Sequence, residues 1–151
     1  MSSSESSSSS GKPRRQRSAN RGAAPRASWF GDLGLVDFQI EFYERILARN
    51  PDQVHVLRAL GELLPLRGRY ARSLEVDRRL VSLVPHDYLA HYNLACSLAM
   101  QGAPAQAIQE LGRAIAYGYD DFDHLEIDPD LDGLRGLPAY QDLLRQHGIG
   151  S

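Results

Sequence analysis

Residues 54–87, VHVLRALGELLPLRGRYARSLEVDRRLVSLVPHD, and residues 88–121, YLAHYNLACSLAMQGAPAQAIQELGRAIAYGYDD, carry one pattern twice at an offset of 34. Leu60 falls on Leu94, Leu64 on Leu98, Gly68 on Gly102, Ala71 on Ala105, Arg79 on Arg113 and Asp87 on Asp121. Gly61 meets Ala95, Ser73 meets Ala107, Leu74 meets Ile108 and Val81 meets Ile115, and Pro51 and Pro85 precede the two copies at the same distance. Self-similarity at a period of this size signals stacked supersecondary units, each too small to bury its apolar face alone.

Within each copy the apolar residues fall at helical spacing. Val56, Leu57, Leu60, Leu63 and Leu64 form one stripe and Tyr70, Leu74, Leu80, Val81 and Val84 a second, with Gly68 between them. A glycine there ends a helix at low conformational cost. Gly61 leaves room for two backbones to approach, Asp52 is placed to cap the first helix, and Pro65 should bend that helix or end it early. In the second copy Asp87 is the expected cap. Leu89, Tyr92, Leu94, Ala95, Leu98 and Met100 form the first stripe, Pro104 opens the next helix, and Ala107, Ile108, Leu111, Ala114 and Ile115 follow. The stretch 36–49 has matching periodicity in Val36, Ile40, Tyr43, Ile46 and Leu47, flanked by Phe38 and Phe42, and reads as the second half of an earlier repeat. Trp29 and Phe30 are expected to cover its open end.

Leu57, Leu60, Gly61, Leu64, Gly68, Tyr70, Ser73, Leu80 and Pro85, with His91, Leu94, Ala95, Leu98, Gly102, Ala107, Leu111 and Ala114 in the next copy, resemble the signature of a tetratricopeptide repeat. The chain departs from that signature at Asp77, where the family prefers a bulky apolar residue, and at Tyr119, which replaces the closing proline. The resemblance implies an all-α, right-handed superhelix of antiparallel helix pairs. It also implies that the first helix of each pair lines a concave groove that holds a peptide or helix of another protein. The groove residues it assigns are His55, Arg58, Glu62 and Leu66, then Leu89, Tyr92, Cys96 and Met100.

The flanks differ in kind. Residues 1–27 hold Lys12 and five arginines against Glu5, a balance of +5, whereas 28–151 hold 11 arginines against 18 acids, a balance of −7. The segment 1–28 is serine-rich and basic and lacks the apolar side chains needed to offset chain entropy, so it is expected to be disordered. At the other end, seven acids lie between Asp120 and Asp132. Asp128-Pro129-Asp130-Leu131-Asp132-Gly133 opens like a calcium-binding loop, but Ala139 stands where the bidentate glutamate belongs. The better reading is a terminal capping segment: Leu131 and Leu134 pack down and Pro138 starts a helix carrying Tyr140, Leu143 and Leu144.

The expected organisation is a tail at 1–28 and a repeat domain at 29–147. The domain comprises a partial repeat 36–53, full repeats 54–87 and 88–121, and a degenerate capping unit 122–147. His55, His86, His91, His124 and His147 form no zinc-ligand spacing, Cys96 has no histidine one turn away on its face, and no phosphate loop or nucleophile elbow occurs. A non-enzymatic protein without metal or cofactor is therefore expected. It binds a partner protein in the groove, without a membrane span and in the cytoplasm. Two rival readings are a nucleic-acid- or polyanion-associated factor acting through the basic arm and a self-associating repeat protein, a homodimer. Limited proteolysis should remove the first ~28 residues and spare the remainder, because exposed low-complexity ends are cut first; mass spectrometry of the resistant fragment checks this.

Overall fold

The structure, a computed structural model, describes residues 28–150, with side chains from residue 34 onward. The readings for the tail and for the side chains of Trp29 and Phe30 lie outside these residues. The described chain is all helical. It contains α1 (Ser28–Arg49), α2 (Val54–Leu63), α3 (Tyr70–Leu83), α4 (Tyr88–Met100), α5 (Pro104–Ala116), α6 (Phe122–Ile127) and α7 (Pro138–Gln146). Short 3-10 segments at Leu64–Arg67 and Pro129–Leu134 complete it. None of the described helices is long and apolar enough to cross a membrane.

The 34-residue period reappears in the helix starts. Val54, Tyr88 and Phe122 begin one series and Tyr70, Pro104 and Pro138 the other, each 34 apart. Packing runs between sequence neighbours: α1 lies on α2, α2 on α3, α3 on α4, and α4 on α5, its most extensive partner. Connections of a few residues between packed helices force each one to reverse direction on its predecessor.

Local chemistry sets the boundaries. Pro65 has no N–H to donate, and α2 stops at Leu63. The chain tightens into the 3-10 turn and ends at Gly68, whose φ of +72° is matched by +79° at Gly102. A side chain at either position would be strained by that left-handed backbone. Asp87 caps α4 as expected, accepting from the backbone N–H of Leu89 and Ala90 at 2.9 and 3.1 Å. Asp121 caps α6 in the same way, from His124 N–H at 3.1 Å. Asp52 is a correction: α2 begins at Val54, so Gln53 occupies the N-cap without a side-chain bond, and Asp52, one residue earlier, pairs with Arg79 instead. The first helix is also longer than its apolar periodicity suggests. Gly31 and Gly34 interrupt the apolar pattern without ending α1, which reaches back to Ser28.

Two apolar clusters make the core. Ile40, Leu47, Val56, Leu57, Leu60, Leu64, Val76, Leu80 and Ala90 join α1 to the start of α4. Leu94, Ala95, Leu98, Ala107, Leu111 and Ala114 join α4 to α5, and Leu125, Leu131, Leu134, Tyr140 and Leu143 seal them from the C-terminal side. The small residues Ala95, Ala107 and Ala114 are fully buried where the helices nest. Polar ties run across the same seams. Ser97 Oγ donates to the buried carboxylate of Asp77 at 2.6 Å, which explains an acid in a bulky residue's place. His91 sits between the Pro85 carbonyl and Glu110, each 2.6 Å away. Every residue from Ala90 to Leu98 is buried, so α4 has no solvent face over most of its length. Leu94 is 4% exposed. Leu94→Asp should cost several kcal/mol by burying an unpaired charge and should abolish cooperative helicity by circular dichroism.

Candidate functional site

The eight residues assigned to a groove separate into two groups. On α2, His55 is exposed and Arg58 and Glu62 are half-buried; Leu66, on the 3-10 turn that continues the helix, is also half-buried. Spacings of three and four residues keep this series on one face. Arg58 is paired with Asp87, the cap of α4, and this draws the start of α4, with Leu89 half-buried, toward the α2 face. Burial raises the Asp87 carboxyl, but Arg58 and the Ala90 and Leu89 N–H groups outweigh it and hold the group below its ordinary value. A depressed folded-state value means this pair's stabilisation is present above the ordinary carboxylate range and is lost as pH falls through the lowered value.

Tyr92 and Cys96 belong to the other group. Both are completely buried and face protein, not an open groove. The reason is the capping unit, which folds over α4. The Tyr92 hydroxyl donates to Asp128 Oδ2 at 2.5 Å, and Cys96 Sγ lies 3.9 Å from the same oxygen. Asp128 is itself fully buried and is held from several sides. Its Oδ1 accepts from Asp130 N–H at 2.9 Å, its backbone carbonyl from Arg135 at 2.8 Å, and His124 Nε2 lies 3.3 Å from Oδ2. Tyr119 stacks on Tyr92 with ring centroids 4.4 Å apart and planes 9° from parallel. Burial pushes the Tyr119 phenol above its ordinary range, which keeps it neutral beside the carboxylates. Met100 is exposed at the C-terminal end of α4, in the position that matches Leu66 at the 34-residue offset.

Asp128 is the residue whose role the sequence pattern obscures. The run Asp128–Gly133 opens like an ion-binding loop, yet Asp128 is the N-cap of the 3-10 segment, Pro129 is its first residue, and Asp132 turns outward to Arg135. The Asp-Pro pair carries that signal, since a capping acceptor followed by proline marks a helical start. Cys96, Asp128 and Asp130 come close enough for their donor atoms to share one ion. They are also tied to protein groups, Asp128 to Tyr92 above all.

The chain matches no known family's sequence profile. It is similar to a chloroplastic protein of Arabidopsis thaliana, with 30% identity over 82 residues covering 52% of this chain and 24% of that protein. It is also similar to the uncharacterized protein y4yS of Sinorhizobium fredii, with 28% identity over 67 residues covering 44% of this chain and 37% of that protein. The chain thus spans about a quarter of one relative's length and little over a third of the other's.

Tyr92→Phe should destabilise the fold by about 1–3 kcal/mol, leaving a buried carboxylate oxygen short of a donor. Combined with Asp128→Asn in a double-mutant cycle by urea denaturation, it should show a coupling of about 1 kcal/mol or more.

Proposed function

We propose that the chain is a tetratricopeptide-like stack whose function is to bind another protein, docking that partner's helix or extended segment on the exposed face of α2. One observation supports this above the others. His55, Arg58, Glu62 and Leu66 form an aligned face that the chain's own elements leave accessible, while the corresponding face of α4 is occupied by the capping unit. A mixed surface of this kind, with aliphatic Leu66 at one end and charges of both signs along it, suits an amphipathic segment laid along a helix. The doubled 34-residue pattern, the repeated helix starts and the positive-φ glycines at matching positions favour the family reading. The right-handed coil of the stack is inferred from the resemblance.

The buried carboxylates are engaged in fold contacts, and the face on α2 has no paired acid and base arranged around a substrate-sized recess. Binding without catalysis belongs to the same proposal. A polyanion-binding role for residues 1–27 rests on their +5 balance and makes a different demand on the same experiment.

Affinity capture from the source cell, followed by mass spectrometry, should return a partner with the wild-type chain. The double substitution His55→Glu with Glu62→Arg should reduce capture about ten-fold or more with the fold intact, since the changed side chains reach solvent. Capture that ignores this substitution and instead needs residues 1–27 would overturn the proposal. Arg58→Glu is a poorer probe because it also breaks the tie to Asp87, and Tyr92→Ala would test packing rather than docking.

A further inference from the structure

Away from the α2 face, three exposed large apolar side chains fall together on α1: Leu35 at 55%, Phe38 at 65% and Phe42 at 50% exposure. Their spacing of three and four residues makes a single stripe. Contiguous exposed apolar stripes of this kind mark an interaction surface.

The repeat register says what such a stripe does elsewhere in the molecule. At an offset of 34, Phe42 corresponds to Val76 and Phe38 to Arg72, both on α3. On α3 these positions meet α1: Val76 is buried in the cluster with Leu47, and Arg72, still partly exposed, donates to both oxygens of Glu44 at 2.9 and 2.7 Å. The stripe on α1 occupies the equivalent position, and no helix among the described residues lies over it. The opposite end of the molecule is closed. There α7 covers α5, with Leu143 set against Gly112. Head-to-tail stacking of copies would need two different bare ends, and only one is bare among the described residues. Residues 2–27 contain no Val, Leu, Ile, Met, Phe, Tyr or Trp, so that segment has no large apolar side chain with which to fill the stripe.

We infer that the stripe is a homodimer interface, in which α1 packs against α1 of a second copy about a two-fold axis near Phe42. The charges left on the helix are arranged for this. Asp37 and Glu44 are paired with Arg67 and Arg72 of the same chain, whereas Glu41 precedes Phe42 and Arg45 and Arg49 follow it. An antiparallel second copy sets Glu41 of each helix against Arg45 of the other, twice. A parallel arrangement would set like charges together. Phe38 then lies along the aliphatic stem of the opposing Arg45, and Leu35 along that of Arg49. This surface is separate from the proposed docking face on α2, and neither depends on the other.

Sedimentation equilibrium of the full chain at roughly 100 μM should give twice the 16.8 kDa chain mass, as expected for a micromolar interface. Phe38→Arg with Phe42→Arg should return the single-chain mass with unchanged helicity by circular dichroism, since both side chains are solvent-facing. Glu41→Arg and Arg45→Glu should each weaken association about ten-fold or more, and an equimolar mixture of the two should restore it by forming a charge-matched heterodimer. A wild-type chain that stays at single-chain mass overturns the inference. So does a dimer that survives the double phenylalanine substitution, or a pair of charge variants that fail to reassociate on mixing.

Discussion

The hydrogen bond from Tyr92 to the buried carboxylate of Asp128 is the contact on which the rest of the arrangement depends. It joins the middle of α4 to a segment 36 residues later in the chain. A carboxylate with no solvent exposure is costly unless its lone pairs are filled. Here the Tyr92 hydroxyl and the Asp130 backbone N–H meet that need, and the aromatic ring that brings the hydroxyl is stacked against Tyr119. Because this knot forms, the 3-10 segment Pro129–Leu134 lies along α4, and a helix that would otherwise show one face to solvent is enclosed from Ala90 to Leu98.

Enclosure of α4 has a consequence for function. The two first-position helices, α2 and α4, share a pattern in sequence but not a fate. Tyr92 and Cys96 of α4 have become core, and the outward residues of α2 remain available. The Arg58–Asp87 pair links the two, since the side chain that caps α4 also orients an arginine on the open face. A buried polar knot of this kind contributes less through its net energy than through the penalty for leaving any member unpaired, so it specifies where the terminal unit must sit.

Much of the fold was legible in the sequence because periodicity and stop signals are local. The 34-residue offset, Pro65, Gly68, Gly102, Pro104 and Pro138 each act through their own backbone, and each marks a boundary where the pattern placed it. The burial of Leu131, Leu134 and Tyr140 was equally readable from spacing. The site was less legible. Whether Tyr92 faces solvent depends on a carboxylate distant in sequence, and the helical pattern of α4 is the same in either case. The cap at Asp52 was misplaced by one residue: α2 begins at Val54, and Asp52 pairs with Arg79 of another helix. An amphipathic stripe shows which residues point away from a helix's neighbours in sequence, but it does not show what arrives later to cover them.

Cys96 provides the most direct reading of this account, because it is the chain's sole cysteine and lies beside Asp128 beneath the terminal segment. The measurement is the rate at which a thiol reagent such as an aromatic disulfide modifies the native protein, set against the same reaction in denaturant. The thiol is expected to react only as fast as the structure opens, orders of magnitude more slowly than in the unfolded chain. Immediate, stoichiometric labelling of the native protein would contradict it, because the face of α4 would then be an open groove rather than part of the core.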